Sequence, residues 1–316
     1  MRVLGSLLAI LLVTASTHGV EIPVFVIAGQ SNAVGSGTSY QTLSSTLKVT
    51  QPNVLYCGPQ ESAIQWTSLV PPTQVSQMAY PNDPQGGFGP ELMAGKTISD
   101  ALGGKLVGEV KYAVGGTNLY QQWNPDIAGS YYYSMRARVK DALAALPNQQ
   151  AGTTGKVAGF FWMQGESDAN AARTTAQYEA DLTDLIAHVR SDFADPKLPF
   201  VFGRITTIWA NAENIRQAQA NVAAKIPFTY MVDTDAFGRL PYPEDGHYDN
   251  QGMLDLGTAF GNAYLKVATV PEPTTMAMGA TVFAGLFGRW AMRHESIRHR
   301  IQTLRWAVSH RLGRHF

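Results

Sequence analysis

Cysteine is almost absent from this chain: Cys57 stands alone among 316 residues. No intramolecular disulfide can form, and the cysteine-rich zinc sites are excluded. Histidine is nearly as scarce. Of seven, His18, His294, His299, His310 and His315 lie toward the two ends, which leaves His188 and His247 for the middle of the chain. Neither of the longest apolar stretches, Val3 to Val13 and Thr274 to Gly288, reaches the about 20 residues of a comfortable membrane helix. No internal repeat is present, which excludes solenoids and propellers.

The formal charge is zero, with 24 Lys+Arg against 24 Asp+Glu, but the two signs are segregated. From Arg289 to Phe316 seven Arg and one Glu leave +6; from Glu21 to Val270, 16 basic and 22 acidic residues leave −6. An acidic domain carrying a basic tail argues against nucleic acid as substrate, because phosphates are repelled. Residues 1–19 have the form of a secretory signal: Arg2, then the apolar run, then a small-residue exit at Ala15-Ser16-Thr17-His18-Gly19. With both ends set aside, residues 20–268 form one domain of ample size to bury a core without disulfides.

Within that domain apolar runs alternate with amphipathic ones. Strands are expected at Ile22–Ala28, Leu106–Val114, Val157–Met163, Phe200–Ile205 and Phe228–Val232, with a weaker one at Val54–Cys57. Helices are expected at Pro90–Leu102, Tyr132–Leu146, Thr174–Phe193, Asn211–Lys225 and Asn250–Val267. Tyr178, Leu182, Leu185, Ile186, Val189 and Phe193 make one stripe on the third of these. This alternation predicts an α/β fold with a central parallel sheet covered on both faces, which binds ligands beyond the carboxyl ends of its strands. Two long connections, roughly Thr38–Asn53 and Gly58–Gly89, are of the length that usually serves function or disorder.

Gly29-Gln30-Ser31-Asn32 follows the first strand directly. A tight glycine-bounded turn there presents the Ser31 hydroxyl at the sheet's carboxyl edge, as nucleophilic serines require. Such a serine needs a general base, most often a histidine. His188 is explained as an i,i+4 partner of Asp184 on a helix, so His247, in the polar loop Pro243-Glu244-Asp245-Gly246-His247 before the last helix, is the candidate. Oxyanion donors are expected from the Ser31 N–H, from Gly115-Gly116-Thr117 after the second long strand, and from Gln164 after the third. Trp66 and Trp123 are candidate platforms for sugar rings.

These blocks together resemble the SGNH hydrolase superfamily, in its sialate O-acetylesterase and acetyl-xylan esterase branch. The matching segments are Gly29-Gln30-Ser31-Asn32, Gly87-Phe88-Gly89-Pro90-Glu91-Leu92, Gly115-Gly116-Thr117 with Trp123, Trp162 to Asp168, and Asp245-Gly246-His247-Tyr248 followed by Gly252 and Leu256-Gly257. The resemblance implies a three-layer α/β/α sandwich of flavodoxin-like SGNH type. It also implies hydrolysis of O-acetyl esters on carbohydrates, without cofactor or metal. It makes Ser31 the nucleophile and His247 the base, with Ser31, Gly116 and Gln164 as the oxyanion hole and Asn32 and Trp123 toward the substrate. Three carboxylates compete to orient His247: Glu166 and Asp245 first, Glu244 third. Met163 stands where many relatives carry His. Sialic acid, xylan, pectin and exopolysaccharide are all compatible substrates. The rival readings are a surface carbohydrate-binding protein that keeps the fold without turnover, and a lipase or thioesterase of the same superfamily.

The C-terminal end resembles a PEP-CTERM sorting signal: Pro271-Glu272-Pro273, the uncharged segment Thr274 to Gly288, then a basic cluster from Arg289. This implies an exported protein of the cell envelope or exterior, with residues 269–293 holding one transmembrane helix, which Arg289 and Arg293 can lengthen through Trp290 and Met292 by snorkelling to the headgroups, and 294–316 a basic cytoplasmic tail. A sorting protease and the membrane are its implied partners there.

Overall fold

The computed structural model describes residues 19–58, 63–74 and 85–268. The expected signal segment (apart from Gly19), the transmembrane segment at 269–293 and the tail at 294–316 lie outside the described residues. No helix among the described residues is long and apolar enough to cross a membrane.

One seven-stranded sheet organises the domain, in the order β3-β2-β4-β1-β5-β6-β7. Its strands are β1 (Val20–Gly29), β2 (Gln51–Cys57), β3 (Trp66–Leu69), β4 (Val107–Ala113), β5 (Thr153–Met163), β6 (Phe200–Gly203) and β7 (Thr229–Val232). All neighbours run parallel except β2 and β3, which pair antiparallel. Without the β2–β3 ribbon, the remaining order β4-β1-β5-β6-β7 is the 2-1-3-4-5 order of flavodoxin-like folds. In that order the chain moves to one side of β1 and then to the other, opening a crevice at the carboxyl end of β1.

The sequence dictates this arrangement locally. Val24 to Ala28 are apolar without alternation, and all are fully buried, as a central strand covered on both faces demands. Helix α5 (Thr175–Asp192) opens on a capping box between Thr174 and Gln177 and buries Tyr178, Leu182, Leu185, Ile186 and Val189. Its neighbour α6 (Ala212–Lys225), together with α3 (Tyr131–Gln149), α2 (Glu91–Ala101) and α7 (Asn250–Ala268), completes the outer layers. Two one-turn helices, α1 (Ser31–Val34) and α4 (Glu166–Asn170), sit at the ends of β1 and β5.

A buried ion pair fastens the first of these. Lys111 Nζ in β4 lies 2.8 Å from Glu91 Oε2, with both side chains almost fully shielded, and donates to the Val34 carbonyl at 2.7 Å. Glu91 accepts in turn from the Gly89 N–H at 2.9 Å and from the Thr73 hydroxyl. Both charges are thus hydrogen-bonded beyond the pair itself, the condition under which a buried pair is tolerated, and they hold the rear of α1 against the sheet.

Candidate active site

The turn from β1 into α1 is built on a glycine. Gly29 has φ +136, and a Cβ there would fall on the Met163 carbonyl oxygen. No other residue fits that backbone beside that neighbour. The turn is stitched to both flanking strands: Gln30 N donates to Met163 O at 2.9 Å, and Val114 N to Gly29 O at 3.0 Å. Ser31 opens α1 half-buried, and among the described residues neither its hydroxyl nor its N–H has a partner. The N–H belongs to the set that every helix start leaves unsatisfied.

Gly115 lies against this serine. An ideal Cβ on it would stand 3.8 Å from Ser31 Cβ. Gly116 follows in a left-handed conformation, φ +71, exposed and with no acceptor for its N–H among the described residues. Two unsatisfied N–H groups, those of Ser31 and Gly116, therefore lie on the two neighbouring turns.

Asn32 joins the nucleophile turn to the base. Its fully buried amide donates to Glu166 Oε1 at 2.8 Å and to the Gly246 carbonyl at 3.0 Å, and it accepts from Tyr248 N at 3.3 Å. Because a carbonyl can only accept and a peptide N–H can only donate, these partners fix the amide's orientation. The backbone on both sides of His247 is thus hung from the residue next to Ser31. The resemblance placed Asn32 toward the substrate; the structure leaves its buried amide no hydrogen to donate to one.

His247 rides on a short antiparallel ribbon in which Arg239 bridges Tyr248 and Leu240 N donates to His247 O at 3.0 Å. The turn before it is closed by His247 N donating to Glu244 O at 2.9 Å. That closure sets residues 244 and 247 side by side, and Glu244 Oε2 lies 3.4 Å from His247 Nδ1. Of the three candidate carboxylates, the one ranked last is the one within reach. No bond joins Asp245 to the imidazole among the described residues, and Glu166 is engaged with Asn32 instead.

Glu166, at the start of α4, is buried, and burial pushes its carboxyl up to about 7 against the pull of the Asn32 hydrogen bond. Its Oε2 has no hydrogen-bond partner among the described residues. Asp168, one step further, is pushed up to about 6, again by burial first, although the Leu119 N–H and the Gln164 amide donate to it at 2.8 and 2.6 Å.

Gln164 is fully buried. Its amide nitrogen faces Gln30 Oε1 at 3.2 Å, Thr117 O at 3.1 Å and Asp168 Oδ2 at 2.6 Å, while its carbonyl accepts from the Tyr178 hydroxyl at 3.0 Å. Two hydrogens meet three acceptors, so in this arrangement Gln164 ties the Gly115–Thr117 turn to α4 rather than offering a donor toward Ser31. Trp123 is likewise fully buried, donating from Nε1 to Thr117 Oγ1 at 2.8 Å with its ring against Tyr112 and Trp162. Trp66 is buried in β3 and donates to the Ala142 carbonyl at 2.7 Å. Neither is a sugar platform; both support the edge from beneath.

The aromatic beside the base is one that the sequence reading passed over. Trp209, half-buried on the connection after β6, packs its ring edge on Gly246, as does the exposed Ile208. Its signal was position: an indole at the carboxyl end of a parallel strand. His188 sits between Asp184 Oδ2 at 3.3 Å and Asp126 Oδ1 at 3.8 Å, the i,i+4 pairing expected of it. These three are the grouping of metal-type side chains found among the described residues, and the two His–Asp contacts suffice to explain it.

A half-buried hydroxyl without a partner and an imidazole with a carboxylate 3.4 Å away both lie on connections at the carboxyl edge of a flavodoxin-like sheet, and these are the parts a serine hydrolase would draw on. A family model described as "Carbohydrate esterase, sialic acid-specific acetylesterase" matches residues 21–266, and the chain belongs to that family of carboxylic ester hydrolases. In fold it is similar to a protein of Arabidopsis thaliana, at 21% identity and TM-score 0.62, covering 78% of this chain and 98% of that one. It is also similar to NanS, at 16% identity and TM-score 0.59, with 78% and 98% covered. A carbohydrate acetylesterase from Xanthomonas citri matches at 17% identity and TM-score 0.51, covering 78% of this chain and 56% of that one. No curated protein matches the sequence.

Proposed function

We propose that this chain is an exported serine esterase that removes O-acetyl groups from carbohydrates through an acyl-enzyme. Ser31 Oγ, giving its proton to His247, attacks the acetyl carbonyl. The N–H groups of Ser31 and Gly116 receive the oxyanion. His247, steadied by Glu244, passes the proton to the departing sugar oxygen, and a water activated by the same imidazole then releases acetate and restores Ser31. The observation that carries this reading is the Asn32 amide, which ties the serine turn to both peptide units around the histidine.

Hydrolysis of p-nitrophenyl acetate tests it. Ser31→Ala should lose on the order of 10⁴-fold or more in kcat, and a fluorophosphonate should tag the parent at Ser31 and leave the variant untouched. A variant as fast as the parent rejects the mechanism. Export, anchoring through the C-terminal segment and its removal by a sorting protease rest on the sequence of the two ends alone. Mass analysis of the mature protein's termini tests them.

A further inference from the structure

We propose, building on the esterase reading above, that this site is made for the acetyl ester of an uncharged sugar and discriminates against a sugar bearing a carboxylate. A carboxylate ligand is normally met by a guanidinium or ammonium free to face it. The connections at the carboxyl ends of the parallel strands carry four cations, Lys48, Arg173, Arg204 and Arg239. The long 70–90 connection carries none.

Each of the four is otherwise engaged or faces elsewhere. Arg173 pairs with Asp181 at 2.5 Å and lies over the Tyr120 ring at 4.8 Å. Arg204 holds Asp233 and Asp235 at 2.5 and 2.6 Å. Lys48 donates to the Gln41 carbonyl at 3.0 Å beneath the Tyr40 ring. Arg239 stands directly opposite Tyr248 in its ribbon. Directly opposed residues share a face, so Arg239 lies on the face of Tyr248. Its charge accordingly acts on the Tyr248 hydroxyl and on Asp235.

The side chains placed beside His247 and its neighbour Gly246 are acidic or apolar. Glu244 lies against the imidazole, with Asp245 and Asp249 on the same short segment. On the other flank an ideal Cβ on Gly246 would stand 2.7 Å from Trp209 Cζ2 and 3.4 Å from Ile208 Cδ1. The leaving sugar must sit where His247 can protonate it, beside this aromatic and aliphatic surface. That environment suits the C–H face of a neutral ring and repels an anion.

The test measures acetate released by the purified enzyme at low salt from three esters: an O-acetylated methyl xyloside, a 9-O-acetylated sialic acid, and that sialic acid's carboxyl methyl ester. The two uncharged esters should exceed the free acid in kcat/KM by at least about ten-fold. Ile208→Arg, an exposed substitution, should raise kcat/KM for the free acid relative to its methyl ester. Turnover of the free acid equal to or better than that of its methyl ester overturns the proposal, as does an unchanged ratio in I208R. Failure of the parent to hydrolyse p-nitrophenyl acetate would instead remove the esterase reading itself.

Discussion

Asn32 shows how much a single side chain can fix in a site assembled from distant parts of the chain. Its amide uses every hydrogen and a lone pair on Glu166, Gly246 and Tyr248. Truncation would leave a carboxyl, a carbonyl and an N–H unpartnered, and the imidazole free to drift from the hydroxyl. Asn32→Ala should therefore lower kcat on the order of 10²-fold with KM for p-nitrophenyl acetate little changed. Kinetics run well below the variant's melting temperature separate misplacement from unfolding. An unaltered kcat in a folded variant would mean that His247 is held by other contacts.

At the level of elements, the turn from β1 into α1 tolerates no side chain at its first position. Gly29→Ala would force a left-handed alanine onto the Met163 carbonyl, so either β1 or β5 must move. We expect a loss of more than about 3 kcal/mol by urea denaturation, or no soluble protein at all. A variant within about 1 kcal/mol of the parent would show that this strand pair can yield. The long elements were legible from sequence because their patterns are strong: Ile22–Ala28 in β1 and Val157–Met163 in β5 are unbroken apolar runs, and α5 buries Tyr178, Leu182, Leu185, Ile186 and Val189 of its stripe. Three of the short ones were not, although the four-residue β6 and β7 were. Four residues of β3 lie inside a stretch that reads as loop, and α1 and α4 are single turns shaped by tertiary contacts. The same limit explains the site. Sequence located Ser31, His247, Asn32, Gln164 and Trp123 along the chain, but position gives no side-chain direction. Asn32, Gln164 and Trp123 therefore turned out to point inward, and the i,i+3 turn favoured Glu244 over Asp245.

Across the whole molecule, three buried acids share one sign. Glu109 is raised well above the usual carboxylate range, by burial first and then by the charge of Glu91; Glu166 is raised to about 7 and Asp168 to about 6. A folded value above the unfolded one means that the native state holds the proton more tightly. The associated stability is complete below the unfolded value near 4 and is lost as pH rises through the folded values. The melting temperature should thus fall from about pH 5 toward pH 8 and beyond. Asp235, lowered by Arg216, acts in the opposite sense only at the acid end. Glu109→Gln, which cannot ionise, should flatten that decline in a calorimetric series; a slope identical to the parent's would place the titration elsewhere.

Cys57 is fully buried, with Arg138 Nη2 at 3.8 Å from its sulfur and burial raising the thiol further from ionisation. A shielded, protonated thiol with no second cysteine has nothing to exchange with. The domain should therefore keep the same shape in oxidising and reducing media, and its recovery from denaturant needs neither an oxidant nor a shuffling catalyst to choose among pairings.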